Sequence, residues 1–95
     1  MGDRIQEDEA MREHKLKSHP SVFKSICSKV KTWEFRKNDR DFDLGDTLLL
    51  QEFDPGPCGG FTGASVRVSV EYIQHGTRFG IPDGFCCMSV RIQEG

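Results

Sequence analysis

Between Lys31 and Asp46 the chain reads KTWEFRKNDRDFDLGD, and this run holds the residues best suited to chemistry. Lys31 is a compact mobile charge and Arg36 a planar fork, while Glu34 can orient either cation or accept from an amino group. Side chains of an extended strand alternate between faces, so Glu34 and Arg36 share one face with Thr32 and can meet the same ligand. Trp33 and Phe35 share the other. The expectation is a strand from Thr32 to Lys37 whose aromatic face, Trp33 included, enters the core while its charged face looks outward. An amphipathic strand with Glu34 and Arg36 merely solvated has the same pattern, and exposed ion pairs add little stability. Lys37, Asn38, Asp39, Arg40 and Asp41 follow, a group that includes turn-forming residues and closes the strand near any site it carries.

Other chemistries find less support. Cys27, Cys58, Cys86 and Cys87 contain no C-x-x-C pair and read as reduced thiols, and His14, His19 and His75 have no spacing that completes a zinc site with them. Neither metal nor cofactor is expected. The glycine-rich stretch Asp54 to Gly63 has no G-x-G-x-x-G or G-K-[ST] pattern leading from a strand into a helix, so it reads as a connecting loop and not as a phosphate cradle.

The charge is unevenly spread. A net charge of -2 hides a segment from His14 to Arg40 in which eight lysines and arginines face two acids, Glu34 and Asp39. Residues 41 to 66 hold five acids and no base. If the basic residues cluster in space, a phosphate-bearing partner can use them. The first 13 residues lack an apolar stripe and read as a flexible arm, leaving 14 to 95 as one domain. No basic start precedes an apolar run, and no stretch is long enough to span a bilayer, so a cytoplasmic protein without a membrane partner is expected.

Several elements must position the central run. His14 to Ser18 suits a short strand with Lys15 and Lys17 outward. Pro20 favours the first turn of a helix, and Phe23, Ile26 and Cys27 recur at helical spacing, which predicts a helix over about Pro20 to Lys29 with those three in the core. Thr47 to Phe53 reads as a buried strand through Leu48, Leu49 and Leu50. Ser65 to Gln74 alternates, placing Val66, Val68, Val70 and Tyr72 on one face. Phe85 to Ile92 closes the chain with Cys86, Met88, Val90 and Ile92 inward. About five strands and one helix without β-α-β alternation predict an α+β fold, a mostly antiparallel sheet curled into a small barrel.

These residues carry a family resemblance. Lys31, Glu34 and Arg36 match the lysine, glutamate and arginine of the G-x-K-x-x-E-x-R signature of ASCH domains, members of the PUA-like superfamily of small β-barrels. Lys29 stands where that signature has glycine, a departure that falls on the turn between helix and strand. The longer runs KTWEFRKNDRDFDLGDTLLLQEFD, TGASVRVSVEYI and GFCCMSVRI look like a small ASCH-related family of unknown function from bacteria and their phages, and the similarity covers residues 14 to 92. The resemblance implies a cleft between helix and barrel that takes RNA or a nucleotide. There Lys31 would meet phosphate, Arg36 phosphate or a base edge, and Glu34 would orient Arg36 or accept from a base. Asn38, Asp39 and Arg40, with Lys37 beside them, would add polar groups at the mouth, and Arg78 and Phe79 could close over the ligand, although Phe79 reads better as a cap on the barrel.

Some ASCH relatives are amidohydrolases that deacetylate acetylated cytidine, using a threonine three residues after the signature lysine. Here that position is Glu34, and Thr32 sits beside Lys31 on the opposite strand face. The leading expectation is therefore a binding module for RNA or a nucleotide, monomeric or weakly dimeric through open strand edges. A small amidohydrolase acting on a modified nucleoside is the alternative. A phage accessory protein that binds a host protein is the third.

Overall fold

The computed structural model describes residues 12–94. Five strands and one helix follow in the order β1 (Glu13–Ser18), α1 (Pro20–Cys27), β2 (Trp33–Lys37), β3 (Thr47–Asp54), β4 (Gly60–His75) and β5 (Phe85–Ile92). They form one mixed sheet in the order β1-β3-β4-β5-β2, curled into a half-barrel, with β1 parallel to β3 and the other pairs antiparallel. The α+β class read from the sequence is the class observed. The expected arm, 1 to 13, falls outside the described residues except for Arg12 and Glu13, which adjoin and open the first strand of the sheet. Thr47 N donates to Arg12 O at 2.8 Å, and Glu13 opens β1.

The core is built from the concave face of the sheet. Leu16, Phe42, Leu48, Leu50, Val68, Val70, Cys86, Met88 and Val90 pack there with Ile26 of the helix. Each fully buried large side chain in such a cluster contributes about 1.5–3 kcal/mol over its exposed state. Helix α1 starts at Pro20 behind His19, whose side chain caps the Ser21 N–H, and it packs chiefly on β3 through Phe23 and Ile26. Its last helical residue is Cys27, earlier than the expected Lys29, and Cys27 is exposed. The end is fixed by backbone bonds: Lys29 N donates to Ile26 O and Val30 N to Ser25 O, both at 3.0 Å, with Lys29 in the left-handed region at φ 66. This is the Schellman arrangement, in which glycine is the usual residue at that position.

Three expectations are overturned by register. Trp33 and Phe35, read as core, are 48% and 46% exposed. Residues directly opposite in an antiparallel pair share a face. Glu34 lies opposite Met88 and Arg36 opposite Cys86, both core residues, so the charged side of β2 turns inward and the aromatic side outward. Tyr72 is also exposed, because the ladder advances from Val70↔Val90 to Tyr72↔Ser89 and leaves Glu71 as a bulge that reverses the alternation. Phe79, read as a cap, is 83% exposed.

The glycine-rich loop is shorter than expected, since β3 runs to Asp54 and β4 begins at Gly60. Gly59 permits this turn: a Cβ there would lie 2.0 Å from the Asp54 carbonyl oxygen.

Candidate functional site

The two ends of the sheet, β1 and β2, face each other across an open seam, and α1 borders it. The resulting cleft, about 340 Å³, is lined by Lys17, Ser18 and His19 at the end of β1 and by Lys31, Glu34 and Arg36 with their aromatic neighbours. Glu34 is its anchor. Its carboxylate is 2% exposed and accepts from Lys31 Nζ at 3.0 Å through Oε2 and from Arg36 Nε at 2.9 Å through Oε1. Arg36 also donates from Nη2 to the Lys17 carbonyl at 3.0 Å, joining β2 to β1. A buried carboxylate held by two cations leaves the group positive and fixes both heads in place.

The aromatic rings complete the mouth. Lys31 Nζ lies 4.3 Å from the centroid of the exposed Trp33 ring, and Phe35 stacks on Phe85 at 5.5 Å with planes 14° apart. Ser18 contributes a buried hydroxyl that has no hydrogen-bond partner among the described residues. Both oxygens of Glu34 are engaged by cations, which suits an orienting role better than a general base. Thr32 lines a different cavity, of about 580 Å³ between the helix end and strands β4 and β5, so its hydroxyl is not part of this cleft.

Residues 13–90 match the family described as Domain of unknown function (DUF3850). The chain belongs to that family. It is also similar to an uncharacterized 12.9 kDa protein in GpA 3′ region of Escherichia phage P2, with 39% identity over 57 residues covering 60% of this chain and 50% of that protein. The match thus spans about half the length of this curated relative.

In this DUF3850 domain Lys31, Glu34 and Arg36 come together, while the other residues singled out in the sequence stand apart from the cleft lining. Lys37 is exposed at the end of β2. Asn38 braces the following loop, its Oδ1 accepting from Phe42 N at 3.1 Å and its N–H donating to Gly84 O at 2.8 Å. Arg40 donates from Nη1 to the Lys15 carbonyl at 3.0 Å, a second bridge to β1. Arg78 is exposed in the turn between β4 and β5.

Lys17, Ser18 and His19 line the cleft without having been singled out, because only the long-range approach of β1 to β2 brings them there. The one local signal was their position before Pro20, at a helix start.

A second polar cluster is structural. His14 Nε2 lies 2.8 Å from Asp46 Oδ2, which also accepts from Asp43 N at 3.0 Å, and the His14 ring meets Phe42 edge-on. This ties the start of β1 to the loop before β3. All four cysteines are free; burial, and secondarily the Cys87 thiol, push Cys86 above its ordinary value, while burial and then the Glu52 carboxylate do so for Cys27. No helix among the described residues is long and apolar enough to cross a membrane.

Proposed function

We propose that this domain is a non-catalytic binding module for RNA or a nucleotide, with the seam between β1 and β2 as its site. One observation carries the reading: Lys31 and Arg36, fixed by the buried Glu34, stand beside the exposed rings of Trp33 and Phe35. Phosphate calls for fixed cations with spare donors, and a base calls for a flat ring to stack on. Glu34 and the Lys17 carbonyl occupy only part of the Arg36 fork, and its remaining N–H groups are available to a phosphate oxygen or a base edge. The resemblance to ASCH domains of the PUA-like superfamily points the same way. Free thiols fit a cytoplasmic protein.

The test is a chemical-shift titration of labelled protein with single-stranded RNA and with free nucleotides. Shifts at Lys31, Glu34, Arg36 and the Trp33 indole, weakening steeply as salt is added, are the expected result. A spectrum unmoved by every nucleic-acid ligand refutes the reading.

A further inference from the structure

The β3–β4 hairpin carries a second aromatic surface next to the cleft. Phe61 is 58% exposed and packs edge-on against Phe53, centroids 5.0 Å apart. Lys17 Nζ lies over both rings, 4.4 Å from the Phe53 centroid and 5.9 Å from that of Phe61. Lys17 is also a wall of the cleft, and its carbonyl receives Arg36. Glu52, an acid on this hairpin, accepts from Thr62 Oγ1 at 2.7 Å.

The seam therefore has the same construction on both banks. On one, Lys31 lies over the exposed Trp33; on the other, Lys17 lies over Phe53 and Phe61; the Arg36 guanidinium spans the gap between them. Lys17, which has no carboxylate partner among the described residues, can yield its ring face to a nucleobase and stay within reach of the adjoining phosphate, whereas Lys31 stays pinned by Glu34 and a base stacks on the part of the half-exposed Trp33 ring that it leaves open. One base can occupy only one bank. A ligand that uses both must present flat groups and negative charges in alternation along an extended chain, which is the chemistry of a single-stranded polynucleotide.

We propose that the cleft takes a single-stranded polynucleotide running across the seam, with bases on Trp33 and on the Phe53–Phe61 pair and phosphates on Lys17, Arg36 and Lys31. This rests on the nucleic-acid reading of the cleft and adds the hairpin as a second base platform.

The experiment compares uridine monophosphate with an oligouridine and an oligothymidine octamer, a length within the roughly 4–16 nucleotides that one small barrel covers. Each is titrated into the wild-type protein and into the variants Phe61→Ala and Phe61→Tyr, whose folding is checked by their amide spectra. The exposed ring makes both substitutions compatible with folding. The wild type should bind at least one octamer about tenfold more tightly than the monophosphate; F61A should lose that advantage with monophosphate affinity unchanged, and F61Y should retain it. The ratio of the two octamers then compares a ribose strand bearing uracil with a deoxyribose strand bearing its 5-methyl analogue. Octamers no tighter than the monophosphate, or an F61A variant that binds them as the wild type does, would overturn the second platform and leave the cleft reading standing. Absence of binding by all three ligands would overturn both.

Discussion

Arg36 donates from Nη2 to the carbonyl oxygen of Lys17 across 3.0 Å, and so links strands at opposite ends of the sheet. Among the described residues, backbone pairing does not make this link. On β2 the groups bonded toward β5 come from even-numbered positions, as Val90 N to Thr32 O and Asn38 N to Gly84 O show, so the odd-numbered positions turn their backbone toward the seam. Open strand edges invite pairing with other chains. Here two edges share one seam, spanned by Arg36 and, at the Lys15 carbonyl, by Arg40. Among the described residues, arginine side chains and not a further strand close the gap.

Removing Arg36 should therefore cost stability as well as ligand. Arg36→Ala leaves the Glu34 carboxylate with Lys31 alone and deletes the bridge to β1; leaving a buried carboxylate wholly unpaired costs about 3–5 kcal/mol, and with Lys31 still in place the loss should be smaller than that. Arg36→Lys keeps the charge but lacks the fork that reaches Glu34 and Lys17 together, so it should lie between the two. Urea denaturation of the three proteins checks the order. An R36A protein as stable as the wild type would show that the seam is held by something else.

Trp33→Ala should do the opposite. The indole is half exposed and faces away from the core, so its removal should change stability by no more than about 1 kcal/mol. Affinity for single-stranded RNA should fall about tenfold, the worth of a lost base platform. Denaturation midpoint and titration on the same sample separate the two effects. A large loss of stability would return Trp33 to the core.

That reversal marks where the sequence stops being informative. Pro20, the leucine run of β3 and the alternation of β5 place their elements locally, and the inward positions Cys86, Met88 and Val90 follow from spacing alone. Alternation along β2 also separates two faces, but it does not say which one is inside. That is set by the pairing of Glu34 with Met88, a contact between residues far apart in the chain. Tyr72 fails for a related reason, since the bulge at Glu71 depends on β5 and leaves no local mark. The trio Lys31, Glu34 and Arg36 was legible because all three sit on one short stretch. Lys17, Ser18, His19 and the Phe53–Phe61 pair were not, because only the curl of the sheet carries them to the same seam.

Lys29→Gly should stabilise the domain. Lys29 holds φ 66 at the end of α1, a conformation that costs a non-glycine residue about 1–2 kcal/mol, against which glycine loses about 0.5–1 kcal/mol of chain entropy. The ion pair given up, with Glu94 at 3.0 Å, is exposed on both sides and contributes little. A net gain of up to about 1 kcal/mol is expected in urea denaturation. A K29G protein less stable than the wild type would mean that the Lys29 side chain holds the chain end more firmly than its exposure suggests.

Cys86 should make the fold sensitive to alkali. Its thiol is completely buried between Met88 and the other core residues, and burial, reinforced by the neighbouring Cys87 thiol, raises it above its ordinary value of 9.0. The thiolate is thus disfavoured in the folded chain relative to the unfolded one. With the folded value above the unfolded value, the contribution to stability is fully present below pH 9.0 and is lost as pH rises through the raised folded value. Urea midpoints measured between about pH 7 and pH 10 should fall more steeply in the wild type than in Cys86→Ala, whose lower overall stability reflects the cavity it opens and does not affect the comparison of slopes. Cys27 is shifted in the same direction by its own burial and by Glu52, so Cys27→Ser serves as a second background in which the Cys86 contribution can be read separately. Parallel pH profiles for Cys86→Ala and its parent in both backgrounds would show that the buried thiol has no part in the alkaline loss of stability.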